Sequence, residues 1–120
     1  MTPVRYARLV DGKVVPCSLE EYLKTPAATI PRVIKQETVG RYWVSTVFLP
    51  INHGFKGLTR DLWFETMIFD NESTHEIELD GQIETFRDDV YQERYSTLEE
   101  ARRGHAVAVE HARRLMAEAL

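Results

Sequence analysis

The chain has 120 residues, a formal net charge of −4, an apolar fraction of 43% and a charged fraction of 28%. This length suits one domain, and the composition is that of a folded protein rather than a disordered one, so we predict a single domain over residues 1–120. The one cysteine, Cys17, excludes an internal disulfide. The sequence also shows no apolar leader and no run long enough to cross a bilayer, so we predict a cytoplasmic protein without membrane contact.

Charge is distributed unevenly along the chain. Residues 1–60 carry nine basic and four acidic side chains, whereas residues 61–97 carry eleven acidic and two basic ones. A surface for duplex DNA needs a dominant basic field, so duplex DNA is not the expected ligand. Two interpretations of the acidic segment stay open: a solvated surface, or self-association in which the acidic segment of one copy meets the basic half of another.

The first half of the chain predicts a hairpin, a short helix and a strand. Asp11-Gly12 separates two short β-forming runs, which is a strong signal for a type I′ turn. Ser18 and Glu21 form a capping box that opens a helix over Leu19 to Lys24. Residues Arg32 to Val39 favour a strand.

The middle of the chain predicts two central strands that pair in an antiparallel ladder, Tyr42 to Leu49 and Leu62 to Phe69. Both are apolar at nearly every position, so we expect both of their faces to be covered, one by a helix and the other by a second subunit. This excess of apolar surface predicts a homo-oligomer, a dimer or higher. The segment that follows predicts a polar turn, a weak edge strand, a second turn and two further strands: Asp70 to Thr74, His75 to Leu79, Asp80-Gly81, Gln82 to Phe86 and Val90 to Tyr95.

A long helix is predicted at the end of the chain. Thr97 and Glu100 form a second capping box, and the helix runs from Leu98 to about Ala119. Its buried stripe follows spacings of three and four: Ala101, His105, Ala108, Ala112, Leu115 and Ala119. The predicted fold class is therefore α+β, an antiparallel, meander-like sheet of about five to seven strands with a short N-terminal helix and one long C-terminal helix.

The sequence lacks the common motifs of catalysis and metal binding. The four histidines have no HExxH spacing, and one cysteine excludes a structural zinc site in practice, so we predict no metal and no cofactor. There is no GxSxG elbow and no glycine-rich phosphate loop, so no catalytic residue is assigned. A small enzyme that uses His53 and Glu65 as acid and base stays open as an alternative.

Glu65 interrupts an apolar strand and therefore needs a partner or a water-lined cleft. Two interpretations stay open: a structural ion pair with His53, Arg41 or Arg94, or contact with a ligand.

The join between the last strand and the last helix is the predicted binding site for a small anionic ligand. Arginines there offer bidentate hydrogen bonds to phosphate, and aromatic rings offer stacking faces. The alternative interpretation is that these arginines are solvated charges on the surface of the helix. The complete set of candidate ligand-binding residues is Asn52, His53, Phe55, Glu65, Arg94, Tyr95, Arg102, Arg103 and His105.

Three strings in the sequence carry a resemblance to a known group: VSTVFLPINHGF, WFETMIF and ERYSTLEEARRGH. They resemble a family of small, mostly uncharacterised phage, prophage and bacterial proteins with a VSTV, FETM and RYST-x-x-E-A-x-x-GH pattern. The resemblance covers Val44 to Val109, and the acidic segment Asp70 to Asp89 is longer here than in that pattern. The layout is also similar to that of Thoeris-type anti-defence sponge proteins, which bind cyclic ADP-ribose-like signals between subunits.

These resemblances imply a function and a location in the bacterial host cell. The leading expectation is a non-enzymatic phage or prophage accessory protein that sequesters a small nucleotide-derived signalling ligand. The alternative is a protein-interaction inhibitor that blocks a host factor through its acidic segment.

Overall fold

A computed structural model of the chain describes residues 6–24, 32–52 and 61–119. It confirms the α+β class, with two antiparallel sheets, a short helix and one long helix. The elements, in chain order, are β1 (Tyr6–Val10), β2 (Lys13–Cys17), α1 (Leu19–Lys24), β3 (Val33–Val39), β4 (Tyr42–Phe48), β5 (Phe64–Leu79), β6 (Gln82–Tyr95) and α2 (Leu98–Glu118).

Strands β1 and β2 form the predicted hairpin. Asp11 and Gly12 have φ angles of 49° and 79°, as a type I′ turn requires at both central positions. The hairpin is attached beyond the end of β4, where the amide of Ala7 donates to the carbonyl of Pro50 at 3.0 Å. The capping box of α1 is also confirmed, since the amide of Glu21 donates to the Ser18 hydroxyl at 3.1 Å.

The main sheet has the order β3-β4-β5-β6, and every neighbouring pair is antiparallel. The predicted pairing of the two central strands is confirmed, with a register from Tyr42↔Asp70 to Phe48↔Phe64. The sheet is a meander, because each strand pairs with the next one along the chain.

The prediction of a polar turn over Asp70 to Thr74 is wrong. Strand β5 continues through it to Leu79, and the pairing with β6 shifts between Asp70 and Thr74. Arg41 fixes this point with two hydrogen bonds to Asp70, of 2.8 and 2.9 Å. The short strands predicted over 75–79, 82–86 and 90–95 are therefore parts of two long strands. Asp80-Gly81 is a tight turn, as predicted, with φ angles of 50° and 80°.

Helix α2 packs across one face of the main sheet with most of the predicted stripe. The stripe is wrong at its end, because Leu115 is only half-buried and Ala119 is exposed at the C-cap. Ala101, Ala108 and Ala112 are fully buried and His105 is 2% exposed. Alanine lets the helix backbone approach the sheet closely, so the large side chains of the core come from the strands. The core lies under α2 in two clusters: Phe48, Phe64, Trp63, Tyr95, Ala7 and Ala101 at its N-terminal end, and Tyr42, Val44, Ile68, Ala108, Val109 and Ala112 further along.

The opposite face of the main sheet is half-buried in the described part of the chain. Trp43 and Phe69 pack against each other there, and the guanidinium of Arg87 lies over both rings at 4.5 and 5.2 Å. A second subunit on this face stays a prediction.

Replacing Thr97 by alanine is expected to lower the free energy of unfolding by about 1 kcal/mol, because Thr97 is the N-cap of α2. Its hydroxyl accepts the amide of Glu100 at 3.1 Å, and alanine leaves that donor without a protein acceptor. Urea denaturation of both proteins measures the difference. Thr97→Ser is the control, since it keeps the hydroxyl; an equal loss in both variants would contradict the capping role.

Candidate functional site

A chain of polar side chains lies buried between α2 and the sheet. Thr46 and Thr66 are opposite each other on β4 and β5, and both face the helix with no exposed surface. Their hydroxyl oxygens are 2.5 Å apart, and the Thr46 oxygen is 2.6 Å from Nδ1 of His105. Nε2 of His105 is 3.2 Å from a carboxylate oxygen of Glu37 on β3. We call these four residues the buried polar chain.

The partners of the buried polar chain determine where its protons lie. The Glu37 carboxylate can only accept, so Nε2 of His105 carries the proton and Nδ1 of the neutral ring accepts. The Thr46 hydroxyl then donates to Nδ1 and accepts from the hydroxyl of Thr66. The hydrogen bonds of the buried polar chain therefore all run in one direction: Thr66 donates to Thr46, Thr46 donates to His105, and His105 donates to Glu37.

Burial keeps the imidazole of His105 neutral. Desolvation lowers the pKa of His105, and the neighbouring Glu37 carboxylate opposes this effect. The pKa of Glu37 is also lowered, chiefly by a hydrogen bond from Lys35. Lys35 and Glu37 form an ion pair of 3.1 Å at the edge of the sheet. At neutral pH the arrangement is thus a neutral imidazole above an ionised carboxylate.

A carboxylate, an imidazole and a hydroxyl in series resemble the arrangement that activates a nucleophile. Here the hydroxyl belongs to Thr46, whose exposure is 0%, so a substrate cannot reach it. The buried polar chain therefore orients His105 and links α2 to β3, β4 and β5. It does not form a nucleophilic site.

A groove opens between α2 and β3 where the buried polar chain reaches the surface. It has two adjoining lobes, each of about 280 Å³. Lys35, Arg102 and His105 line both lobes. We call it the α2–β3 groove; its remaining lining residues are Ile34 in one lobe and Glu37, Ala106, Val109, Glu110 and Arg113 in the other.

The α2–β3 groove is weakly positive, and one of its cations has no partner within the described ranges 6–24, 32–52 and 61–119. Lys35 pairs with Glu37, and Arg113 pairs with Glu110. Arg102 has no hydrogen bond or ion pair with any residue that the structure describes. With His105 neutral, three positive and two negative charges line the groove, which favours an anion as its occupant.

Of the predicted site residues that the structure describes, Arg102 and His105 line the α2–β3 groove together. Arg94 and Glu65 lie on the opposite face of the sheet and form an ion pair of 2.8 Å. The Gln92 amide also donates to Glu65, at 2.7 Å. The carboxylate thus has the structural partner that its place in an apolar strand requires.

The other predicted site residues have separate positions. Tyr95 is 7% exposed and lies beneath α2, so its ring offers no stacking face to a ligand; burial raises the pKa of Tyr95 to about 12. The Asn52 amide donates to Asp61 and its oxygen accepts the amide of Leu62, away from the groove. Arg103 is exposed on the outer side of α2. His53 and Phe55 lie outside the described residues.

The sequence did not predict the groove residues Lys35, Glu37 and Arg113, and it did not predict that Thr46 contacts His105. Part of the signal was present, since Arg102, Val109 and Arg113 fall at helical spacing on one side of the buried stripe. Period-two alternation also places Lys35 and Glu37 on one face of β3. What was missing was that β3 forms the sheet edge beside that side of the helix.

Comparison of the chain with protein-family models, curated proteins and solved structures finds no match. Within residues 6–24, 32–52 and 61–119, no group of three or more His, Cys, Asp or Glu side chains is placed to hold a metal ion. None of the helices described is long and apolar enough to cross a membrane.

Proposed function

We propose that this protein is a non-enzymatic binding protein that holds a small phosphate-bearing ligand in the α2–β3 groove. The observation that carries the proposal is Arg102, a guanidinium without a partner among the described residues, beside Lys35 in a concave surface. A guanidinium matches phosphate oxygens with two parallel hydrogen bonds, so Arg102 is the expected anchor.

The groove also offers further donors at short range. Arg113 pairs with the exposed Glu110, and such surface pairs contribute little free energy, so Arg113 can turn to a phosphate at small cost. Lys35 is exposed and has three N–H donors, so it can bond a phosphate while it stays beside Glu37. Each charge-assisted hydrogen bond contributes roughly 1.5–3 kcal/mol. The two lobes together have the size of ordinary small-molecule sites, which begin at roughly 300 Å³.

A nucleotide-derived signal is the ligand class that we propose, and sequestration is the proposed activity. Thr46 is the hydroxyl in line with the imidazole of His105 and the carboxylate of Glu37, and its burial keeps a substrate away from it, which favours binding without turnover. The sequence resemblance supports a role as a phage or prophage accessory protein that captures such a signal.

Calorimetry with cyclic nucleotides, cyclic ADP-ribose isomers and inorganic pyrophosphate tests the proposal. We expect at least one member of the panel to bind the wild type, and Arg102→Ala to weaken that binding at least tenfold. Arg103→Ala is the matched control, because it removes the same charge from the adjacent residue outside the groove.

Two results would contradict the proposal: no heat with any compound, or an equal loss of affinity in Arg102→Ala and Arg103→Ala. An absence of binding would favour the alternative, an inhibitor that blocks a host factor through its acidic segment.

A further inference from the structure

The hydroxyl of Tyr95 is the one buried side-chain polar atom that has no hydrogen-bond partner within residues 6–24, 32–52 and 61–119. It lies beneath α2 against Gly104, and the residue is only 7% exposed. A buried polar group without a partner costs free energy, so its presence requires an explanation. Burial raises the pKa of Tyr95, and the neighbouring hydroxyl of Thr66 opposes this effect. Tyr95 therefore stands at the inner end of the buried polar chain, next to its first donor.

The buried polar chain does not use Tyr95 while His105 is neutral. Thr66 donates to Thr46, and Thr46 donates to Nδ1 of the imidazole. A hydroxyl has one proton to donate, so Thr66 has none left for the Tyr95 oxygen. In the neutral state this acceptor thus stays without a donor.

Protonation of His105 reverses the hydrogen bonds between its ring and Tyr95. Both nitrogens of an imidazolium donate, so Nε2 still donates to Glu37, and Nδ1 now donates to Thr46. Thr46 then turns its proton to Thr66, and Thr66 turns its own proton to the Tyr95 oxygen. The two threonine hydroxyls rotate, and the Tyr95 side chain shifts slightly to close the last contact. The charge of the imidazolium drives this shift, because it strengthens the hydrogen bonds in series with it.

The groups around His105 keep the ring neutral in the free protein. Strands β4 and β5 contribute the hydroxyls of Thr46 and Thr66. The titratable and charged side chains on the facing side of the other surrounding elements are Lys35 and Glu37 on β3, Tyr91, Glu93 and Tyr95 on β6, and Arg102, Glu110 and Arg113 on α2. Desolvation lowers the pKa of His105, Glu37 raises it, and Lys35 lowers it. A change of charge in the α2–β3 groove therefore alters the balance that decides the protonation of His105.

An anion in the groove changes that balance in favour of the imidazolium. Lys35, Arg102 and His105 line both lobes, so a phosphate held by the two cations lies beside the ring. The phosphate offsets the positive potential of the cations and attracts a proton to the imidazole. The pKa of His105 is therefore higher in the complex than in the free protein.

We propose that binding of an anion in the α2–β3 groove is coupled to the uptake of a proton by His105, and that the Tyr95 hydroxyl is the acceptor that lets the buried polar chain accommodate this proton. The inference rests on the proposed function, because it concerns a ligand in the same groove. In it Tyr95 is a positioning residue, which acts on the ligand only through Thr66, Thr46 and His105.

Proton uptake makes the affinity depend on pH in a defined direction. Because the complex binds more protons than the free protein, the affinity rises as the pH falls. The rise begins at the pKa of His105 in the complex and ends at its pKa in the free protein, which lies below the ordinary value for histidine. Within this window the affinity increases by at most about tenfold per pH unit.

Calorimetry with 3′,5′-cyclic AMP and with sulfate tests the coupling. Both probes keep a constant charge between about pH 5 and 8, the range in which histidine titrates, so any proton taken up goes to the protein. Measurements in two buffers with different ionisation enthalpies give the number of protons taken up on binding. NMR titration of the imidazole C–H signals, with and without each probe, identifies the histidine that takes them up. We expect uptake of up to one proton and a rise in the pKa of His105.

Tyr95→Phe isolates the role of the hydroxyl, because it removes one oxygen and keeps the ring in the core. This variant should lose most of the proton uptake and of the gain in affinity at acid pH, while its affinity at alkaline pH stays that of the wild type. A merely structural role of Tyr95 would change the affinity equally at every pH. His111→Gln is the matched control, since His111 also lies on α2 but packs against Tyr91, and it should leave the proton uptake unchanged.

The outcomes separate this inference from the proposed function. A probe that binds through Arg102 without proton uptake, or without a rise in the pKa of His105, would overturn the coupling and leave the binding function in place. Equal uptake in the wild type and Tyr95→Phe would overturn the role of the Tyr95 hydroxyl. If neither probe binds at millimolar concentration, the groove does not hold a phosphate-like anion, and the inference fails together with the proposed function.

Discussion

Replacing Thr46 by valine is expected to lower the free energy of unfolding by about 2–4 kcal/mol, although the two side chains have nearly the same shape and valine favours strands. The hydroxyl of Thr46 connects Thr66 to Nδ1 of His105 at 2.5 and 2.6 Å. Valine leaves a buried donor on Thr66 and a buried acceptor on His105 without partners. Each unsatisfied group costs about 1–3 kcal/mol in a site without exposed surface.

Urea denaturation followed by tryptophan fluorescence measures this effect. Thr46→Ser is the matched control, because it keeps the hydroxyl and removes one methyl group, at a cost of about 1 kcal/mol. Equal losses for Val and Ser would show that the methyl group, not the hydrogen bonds, accounts for the role of Thr46.

Replacing Gly104 by alanine is expected to destabilise the protein by about 3 kcal/mol. On propensity alone, alanine inside a helix is better than glycine by about 1 kcal/mol. At this position, however, a Cβ would overlap the ring of Tyr95, which lies buried against α2. Either the helix moves away from β6 or the ring leaves its place, and both changes disturb the core at the N-terminal end of α2.

A double-mutant cycle tests the cause of this loss. In a Tyr95→Leu background the overlap with the aromatic ring is absent, so Gly104→Ala should cost much less than in the wild type. Increased stability of the single variant Gly104→Ala would show that the helix does not approach Tyr95 this closely.

The sequence by itself determined the elements whose cause is local. Asp11-Gly12 and Asp80-Gly81 form tight turns because both positions of each pair adopt positive φ. Thr97 begins α2 because its hydroxyl takes the amide of Glu100. The stripe that includes Ala101 and His105 is buried because helical spacing places these residues on one face.

Only the tertiary structure decided which groups meet. Alternation along a strand shows that Glu65 and Thr66 face opposite sides, but it does not show which side α2 covers. Because α2 covers the side of Thr66, His105 joins the buried polar chain, while Glu65 pairs with Arg94 on the other side. The expected cluster of arginines therefore divides between two faces. Local sequence signals also did not predict that β5 continues past Asp70, because the polar run there favours a turn. The run is a strand because Arg41 forms a long-range ion pair with Asp70 and because the segment pairs with β6.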